Sequence, residues 1–142
     1  MNISEIMTEH VISINEDEPV IAAARLMKQH NIGSLPVRDG KNKLKGIVTD
    51  RDIVLRCVAG NINPQEVRIG EVMSRSLITA SPFEDTEKVA ERMGMSQIRR
   101  VPVTEEGILV GIVALGDIAK KDEFKMEASE ALSEISANFR RR

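Results

Sequence analysis

The chain repeats itself, and that repetition limits its folds more than any other property of the sequence. Residues 6–53 read IMTEHVISINEDEPVIAAARLMKQHNIGSLPVRDGKNKLKGIVTDRDI, and residues 72–118 read VMSRSLITASPFEDTEKVAERMGMSQIRRVPVTEEGILVGIVALGDI. At one constant offset Met7 falls on Met73, Ile12 on Ile78, Ala24 on Ala90, Met27 on Met93, Ile32 on Ile98 and Pro36-Val37 on Pro102-Val103. One residue is then missing from the second copy. Beyond that gap Gly46-Ile47-Val48 falls on Gly111-Ile112-Val113 and Asp52-Ile53 on Asp117-Ile118. The matches sit at apolar and turn positions, and the gap sits where a hairpin loop tolerates it, which marks a tandem duplication. A unit of about 50 residues buries too little surface to fold alone, so the two copies are expected to pack together, sheet against sheet, with pseudo-twofold symmetry.

Each copy predicts the same elements. A short apolar alternation (Val11 to Ile14, Leu77 to Ala80) precedes an amphipathic helix entered through Asp17-Glu18-Pro19 or Asp85-Thr86. Acids and proline suit the positive, donor-rich start of a helix. Ile21, Ala24 and Met27, with Val89, Ala90 and Met93, keep helical spacing and are expected to face the core. Two β runs follow, Leu35 to Val37 then Leu44 to Val48, and Val101 to Val103 then Leu109 to Val113. The acid–Gly pairs Asp39-Gly40 and Glu106-Gly107 predict hairpin turns between them. A second helix starts just after each Gly-Ile-Val. The fold class is therefore α/β (α+β), two β-α-β-β-α repeats at 1–58 and 72–121, a Gly- and Pro-containing linker at 59–71, and a helix-prone amphipathic tail at 122–142.

Charge and composition remove several functions. The 20 Lys and Arg against 22 Asp and Glu give a formal charge of −2, which lacks the basic field that nucleic-acid binding relies on. With no Trp, no Tyr and three Phe, platforms for base stacking are scarce. No nucleic-acid partner is expected. A single Cys57 cannot form an internal disulfide, and no apolar run reaches the roughly 18 residues of a membrane span. A cytoplasmic protein with no membrane partner is the expectation.

The repeated strand–helix junction carries the chemistry. In GIVTDRD a strand runs straight into a helix start, where free N–H groups favour phosphate. Thr49 brings a hydroxyl, and Asp52, one turn on, a carboxylate whose two oxygens suit a ribose diol. An acid repels phosphate, so Asp52 must meet the sugar while cations meet the phosphates. Arg51, Arg99 and Arg100 are the candidate cations.

The leading Met, the Ile-x-x-Leu/Val-Pro-Val strand and the Gly-hydrophobic-hydrophobic-x-x-x-Asp motif, in order and twice over, resemble the CBS domain pair, or Bateman module, across roughly residues 1–120. The chain looks like a stand-alone bacterial member. The resemblance implies a non-enzymatic regulatory or sensor module, commonly a homodimer, that binds AMP, ADP, ATP or S-adenosylmethionine in the cleft between the repeats. No cofactor is required, and the regulated protein partner is unknown. The resemblance also implies that Thr49 and Asp52 share a cleft with Ile98 to Pro102. The second motif, GIVALGD, keeps Asp117 but has Ala114 for the hydroxyl residue and Gly116 for Arg51. Its implied partner stretch, Ile32 to Leu35, has no cation, so the Asp117 cleft is expected to bind weakly, to take a neutral adenosyl group or to stay empty.

Plainer readings stand beside these. An acid in a first helical turn can simply match the dipole, and Arg99-Arg100 can be a solvated pair. Met7, Met27, Met73 and Met93 read as core filler. His10 and His30 lack neighbours at ligand spacing, so no metal is expected. Cys57 reads as buried. Asp50 and Asp52 diverge around the helix, which disfavours a shared metal, and no nucleophile–base pair stands out. The alternative to a sensor is a protein–protein interaction module with vestigial clefts, which the changes at Ala114 and Gly116 motivate.

Overall fold

A computed structural model describes residues 1–121 and 124–141. Asp122, Glu123 and Arg142, part of the predicted tail, lie outside the described residues. The first copy forms β1 (Ile14–Asn15), α1 (Val20–His30), β2 (Ser34–Arg38), β3 (Leu44–Thr49) and α2 (Asp50–Asp52), which runs on as a π-helical stretch over Ile53–Val58. The second forms α3 (Thr86–Ser96), β4 (Arg100–Glu105), β5 (Ile108–Ala114) and α4 (Leu115–Ala119), followed by α5 (Lys125–Arg141). In the first copy β1 lies parallel to β2, which is antiparallel to β3. In the second, β4 and β5 form a two-stranded sheet, and the expected leading strand is reduced to one parallel bridge between Ala80 and Val103.

Matched residues end the long helices. Asn31 and Gln97 both adopt the left-handed conformation, at φ 53° and 58°, which stops the helix and turns the chain toward the following strand. The hairpin turns differ between the copies. Glu106 and Gly107 both have positive φ, as a tight two-residue turn requires. In the first copy the turn is longer than the Asp39-Gly40 pair predicted. Asp39 Oδ1 accepts N–H bonds from Lys41 and Lys43, both 2.9 Å, and Asn42 takes the positive φ. These two backbone donors, helped by Lys45 and Lys43, hold the Asp39 carboxyl below its ordinary pKa.

The core faces follow the prediction in α3, where Val89, Ala90 and Met93 are fully buried. In α1 the buried ridge is Val20, Ala23 and Met27, while Ile21 and Ala24 are half-buried. The five residues Val20 to Ala24 are all apolar, so spacing alone does not single out a face. Cys57 and three of the four repeat-matched methionines are buried, and Met7 is half-buried against the core.

Two compact units result, and they divide the chain differently from the repeats. Unit I gathers Met1–Val11, Ile78–Glu106 and the chain from Val110 onward; unit II gathers Ile12–Leu77 with Gly107–Leu109. The leading segment of each copy thus packs with the rest of the other copy. Ile3 is fully buried in the core of unit I with Val89, Val101, Val113 and Ile118. Ile69, Val72 and Met73 belong to the core of unit II with Val20, Leu35, Val48 and Cys57. Each leading Met lies over the glycine of a Gly-Ile-Val strand, Met7 on Gly111 and Met73 on Gly46. A Cβ on either glycine would meet the methionine sulfur closer than 3 Å. Thr86, a buried polar residue, anchors the first segment by donating to the Met1 carbonyl at 2.8 Å.

Candidate functional site

In unit II the motif closes on itself. Strand β3 delivers Thr49 in extended conformation, φ −116° and ψ 162°, at the head of α2. Thr49 Oγ1 accepts the Asp52 N–H at 3.0 Å, and Asp52 Oδ2 accepts the Thr49 N–H at 3.0 Å. This reciprocal box satisfies two backbone donors at the helix start. It leaves the Thr49 hydroxyl proton available to donate and Asp52 Oδ1 available to accept. Arg56 Nε stands 3.9 Å from that Oδ1, while Arg56 Nη1 donates to the Val72 and Met73 carbonyls at 2.9 and 3.1 Å. Arg51 is exposed. The Asp50 N–H donates to the Gly33 carbonyl at 2.9 Å, fixing the motif beside the start of its own copy's strand β2.

Unit I repeats the arrangement with different side chains. Leu115 N–H donates to the Arg99 carbonyl at 2.8 Å, the counterpart of Asp50 on Gly33. Asp117 Oδ2 accepts the Ala114 N–H at 3.3 Å, but Ala114 has no hydroxyl to return the bond. Lys120 Nζ lies 3.9 Å from Asp117 Oδ1. Around these residues opens a cavity of about 650 Å³, lined by Arg99, Arg100, Ala114 and Asp117, by Lys120, and by the α5 residues Lys125, Ser129 and Leu132. That volume suits a small molecule of nucleotide size. The side chains of Arg99 and Arg100 form no hydrogen bond or ion pair among the described residues.

The structure therefore brings Arg99, Arg100 and Asp117 together in unit I, and Thr49, Arg51 and Asp52 together in unit II. Asp117 was expected to lack cations. The pairing of β4 with β5, extended by the bond from the Leu115 N–H to the Arg99 carbonyl, reverses this, because it sets Arg99 and Arg100 against the α4 motif that follows β5. The chemistry available in this cavity is anion binding by two guanidinium groups beside a carboxylate that can accept from hydroxyls. Glu84 is held below its ordinary pKa by paired hydrogen bonds from Arg92, against the opposing effect of burial.

Sequence reading missed several contributors. Lys120 sits three residues after Asp117, a spacing that places it on the same helix face. Arg56 has the same relation to Asp52 at four. Lys125, Ser129 and Leu132 recur at helical spacing in the tail, but nothing in that pattern says which element they meet.

Residues 3–58 and 69–123 each match the CBS domain. The chain belongs to the CBS-domain family. It is 40% identical to the CBS domain-containing protein YhcV of Bacillus subtilis over 95% of each chain. It is 37% identical to hypoxic response protein 1 of Mycobacterium tuberculosis over 82% of this chain and 81% of that one. The solved structure of hypoxic response protein I with two coordinated zinc ions gives a TM-score of 0.78 at 35% identity, covering 84% of this chain and 98% of that one. The CBS domain pair of protein MJ0100, in complex with 5′-methylthioadenosine and S-adenosyl-L-methionine, gives 0.72 at 33% identity, covering 84% and 94%. In the present CBS pair no group of three or more His, Cys, Asp or Glu among the described residues could hold a metal ion. No helix among the described residues is long and apolar enough to cross a membrane.

Proposed function

We propose that this CBS pair is a non-catalytic regulatory module that binds an adenosine-containing ligand, one of AMP, ADP, ATP or S-adenosylmethionine, and passes its occupancy to a protein partner. The observation that carries the reading is the unit I cavity, where a carboxylate suited to a ribose diol lies beside two arginines suited to phosphate. The MJ0100 pair, which binds two adenosyl compounds, supports the nucleoside part of the reading. Thr49 and Asp52, with one donor proton and one acceptor oxygen left over, are the counterpart contacts in unit II, and Arg51 is its exposed cation. Ligand binding regulates only if the partner distinguishes the liganded from the empty state. The module works in the cytoplasm as a homodimer. The exposed apolar side chains of Val54, Leu55 and Val58 on the π-helical stretch favour self-association with a second copy.

The test is a dye-based thermal-shift screen of the whole protein against the four compounds and GTP as a non-adenine control. A ligand at 100 times its Kd adds about 2.7 kcal/mol to stability. The expected result is a rise selective for adenine compounds and reduced in Asp117→Asn or Asp52→Asn. Asparagine keeps an oxygen for the backbone N–H, and it replaces the charge and the second acceptor oxygen with a neutral NH2 donor. A flat panel with ligand-free protein sinks the proposal.

One observation favours a second reading, an interaction module with vestigial clefts. The box between Thr49 and Asp52 accounts for both residues without any ligand. On that reading Asp52→Ala destabilises the fold but leaves partner binding intact once folding is restored.

A further inference from the structure

The last helix of the chain, α5, starts just beyond the second CBS match, which ends at residue 123. It nevertheless forms a wall of the unit I cavity, through the row Lys125, Ser129 and Leu132. Its adjacent row holds it to the unit. Phe124, just before the helix, and Ala128 and Ala131 are buried in the core. A Cβ on Gly94 of α3 would lie 3.0 Å from Ala131 Cα. Two of these three anchors are alanines, and Ile135 packs against the same core while partly exposed.

The other flank of α5 opposes docking. There Glu127, Glu130 and Glu134 share a groove with Glu87 and Glu91 of α3, against a single cation, Lys88. Glu127 Oε2 is shielded from solvent and has no hydrogen-bond partner among the described residues. Like-charge repulsion along one flank lowers the local stability of a helix. The cavity side has the opposite sign. Among the described residues, Arg99 and Arg100 line it together with Asp117, which Lys120 already pairs.

We propose that α5 is the ligand-responsive element of unit I: an anionic, phosphate-bearing ligand held by Arg99 and Arg100 contacts Ser129 and clamps α5 onto the unit. The nucleoside part of that ligand rests on the function proposed above, whereas its charge class rests on the cavity alone. A polyphosphate neutralises the cationic wall. S-adenosylmethionine, which carries a sulfonium cation, does not, so the cavity ranks ATP above it.

The experiment uses the full chain with three probes, ATP, S-adenosylmethionine and inorganic tripolyphosphate, measured by calorimetric titration, and follows amide hydrogen exchange in residues 125–137. Ser129→Glu places a like charge at the phosphate site from an exposed position, and Ser129→Ala is its neutral control. The Arg99→Ala/Arg100→Ala pair removes the cations. The expected result is ATP binding tighter than S-adenosylmethionine and weakened about tenfold or more by Ser129→Glu and by the double variant, with Ser129→Ala unchanged. Exchange in α5 slows when ATP is bound. Unliganded thermal midpoints equal to wild type show that the variants fold. ATP affinity insensitive to both changes, S-adenosylmethionine binding more tightly, or α5 exchange unaltered at saturation each overturns the clamp while leaving the adenosine reading standing. Tripolyphosphate binding with the expected sensitivities but no ATP binding upholds the cavity and sinks the adenosine reading. Binding of neither anion overturns both.

Discussion

Adding one carbon to each of two repeat-matched glycines should have unequal consequences, and the geometry says by how much. A Cβ on Gly46 would lie 2.5 Å from the Ser74 carbonyl oxygen and 2.9 Å from Met73 Sδ. That oxygen is no loose end, because it accepts the Ile47 N–H at 3.0 Å while Ser74 N–H donates back to Ile47 at 2.8 Å. Restoring ordinary contact needs a shift of about 0.7 Å, which stretches the hydrogen bond beyond useful length. Overpacking of about 2 kcal/mol and loss of one hydrogen bond worth about 1 kcal/mol put Gly46→Ala near 3 kcal/mol. A Cβ on Gly111 instead meets the flexible Met7 Sδ at 2.6 Å, with the Thr8 carbonyl at 3.1 Å. Met7 can turn aside for about 1 kcal/mol. Urea unfolding followed by far-UV circular dichroism measures both, since the chain has no Trp or Tyr. In a thermal melt, at roughly 4 °C per kcal/mol, the midpoints fall by about 12 and 4 °C. Met7→Ala should relieve Gly111→Ala, whereas Met73→Ala should not relieve Gly46→Ala, because the carbonyl remains. Equal costs, or Gly46→Ala within about 1 kcal/mol of wild type, would refute the reasoning.

Other expectations follow from single contacts. Gln97 is exposed and left-handed at φ 58°, so Gln97→Gly should raise stability by about 1 kcal/mol in urea unfolding, while Asn31→Gly changes little because asparagine tolerates that conformation. Thr49→Ala should cost about 1 kcal/mol through loss of the helix-start acceptor, and Ala114→Thr should recover part of the same amount in unit I, where Asp117 already bonds the Ala114 N–H. The Glu84 carboxyl is depressed in the folded state, so its pairing with Arg92 stabilises above the unfolded-state pKa and is lost as pH falls through the lower folded one. Glu84→Gln should therefore cost about 1 kcal/mol at pH 7 and progressively less as pH falls below the unfolded-state pKa, flattening the acid limb of a stability–pH curve.

Much of this protein was legible from the chain itself. Duplication, helical spacing around Met93 and turn chemistry at Glu106-Gly107 determined the element order and the fold class, because these depend on neighbours along the chain. The box at Thr49 and Asp52 was half legible, since a hydroxyl and an acid three residues apart can cap a helix or bind a sugar, and local spacing does not choose. The tertiary structure alone decided the rest. Met7 and Met73 are equivalent residues that fit equivalent glycines, so no local preference tells Met7 to cover Gly111 rather than Gly46. Only the packed units settle that exchange of leading segments. The same holds for the register of the β4–β5 hairpin, which sets Arg99 beside the Asp117 motif, and for α5, whose amphipathic pattern announced a buried face but not the cavity it would wall. Periodicity records which side of an element is apolar; which partner it meets is a property of the whole core.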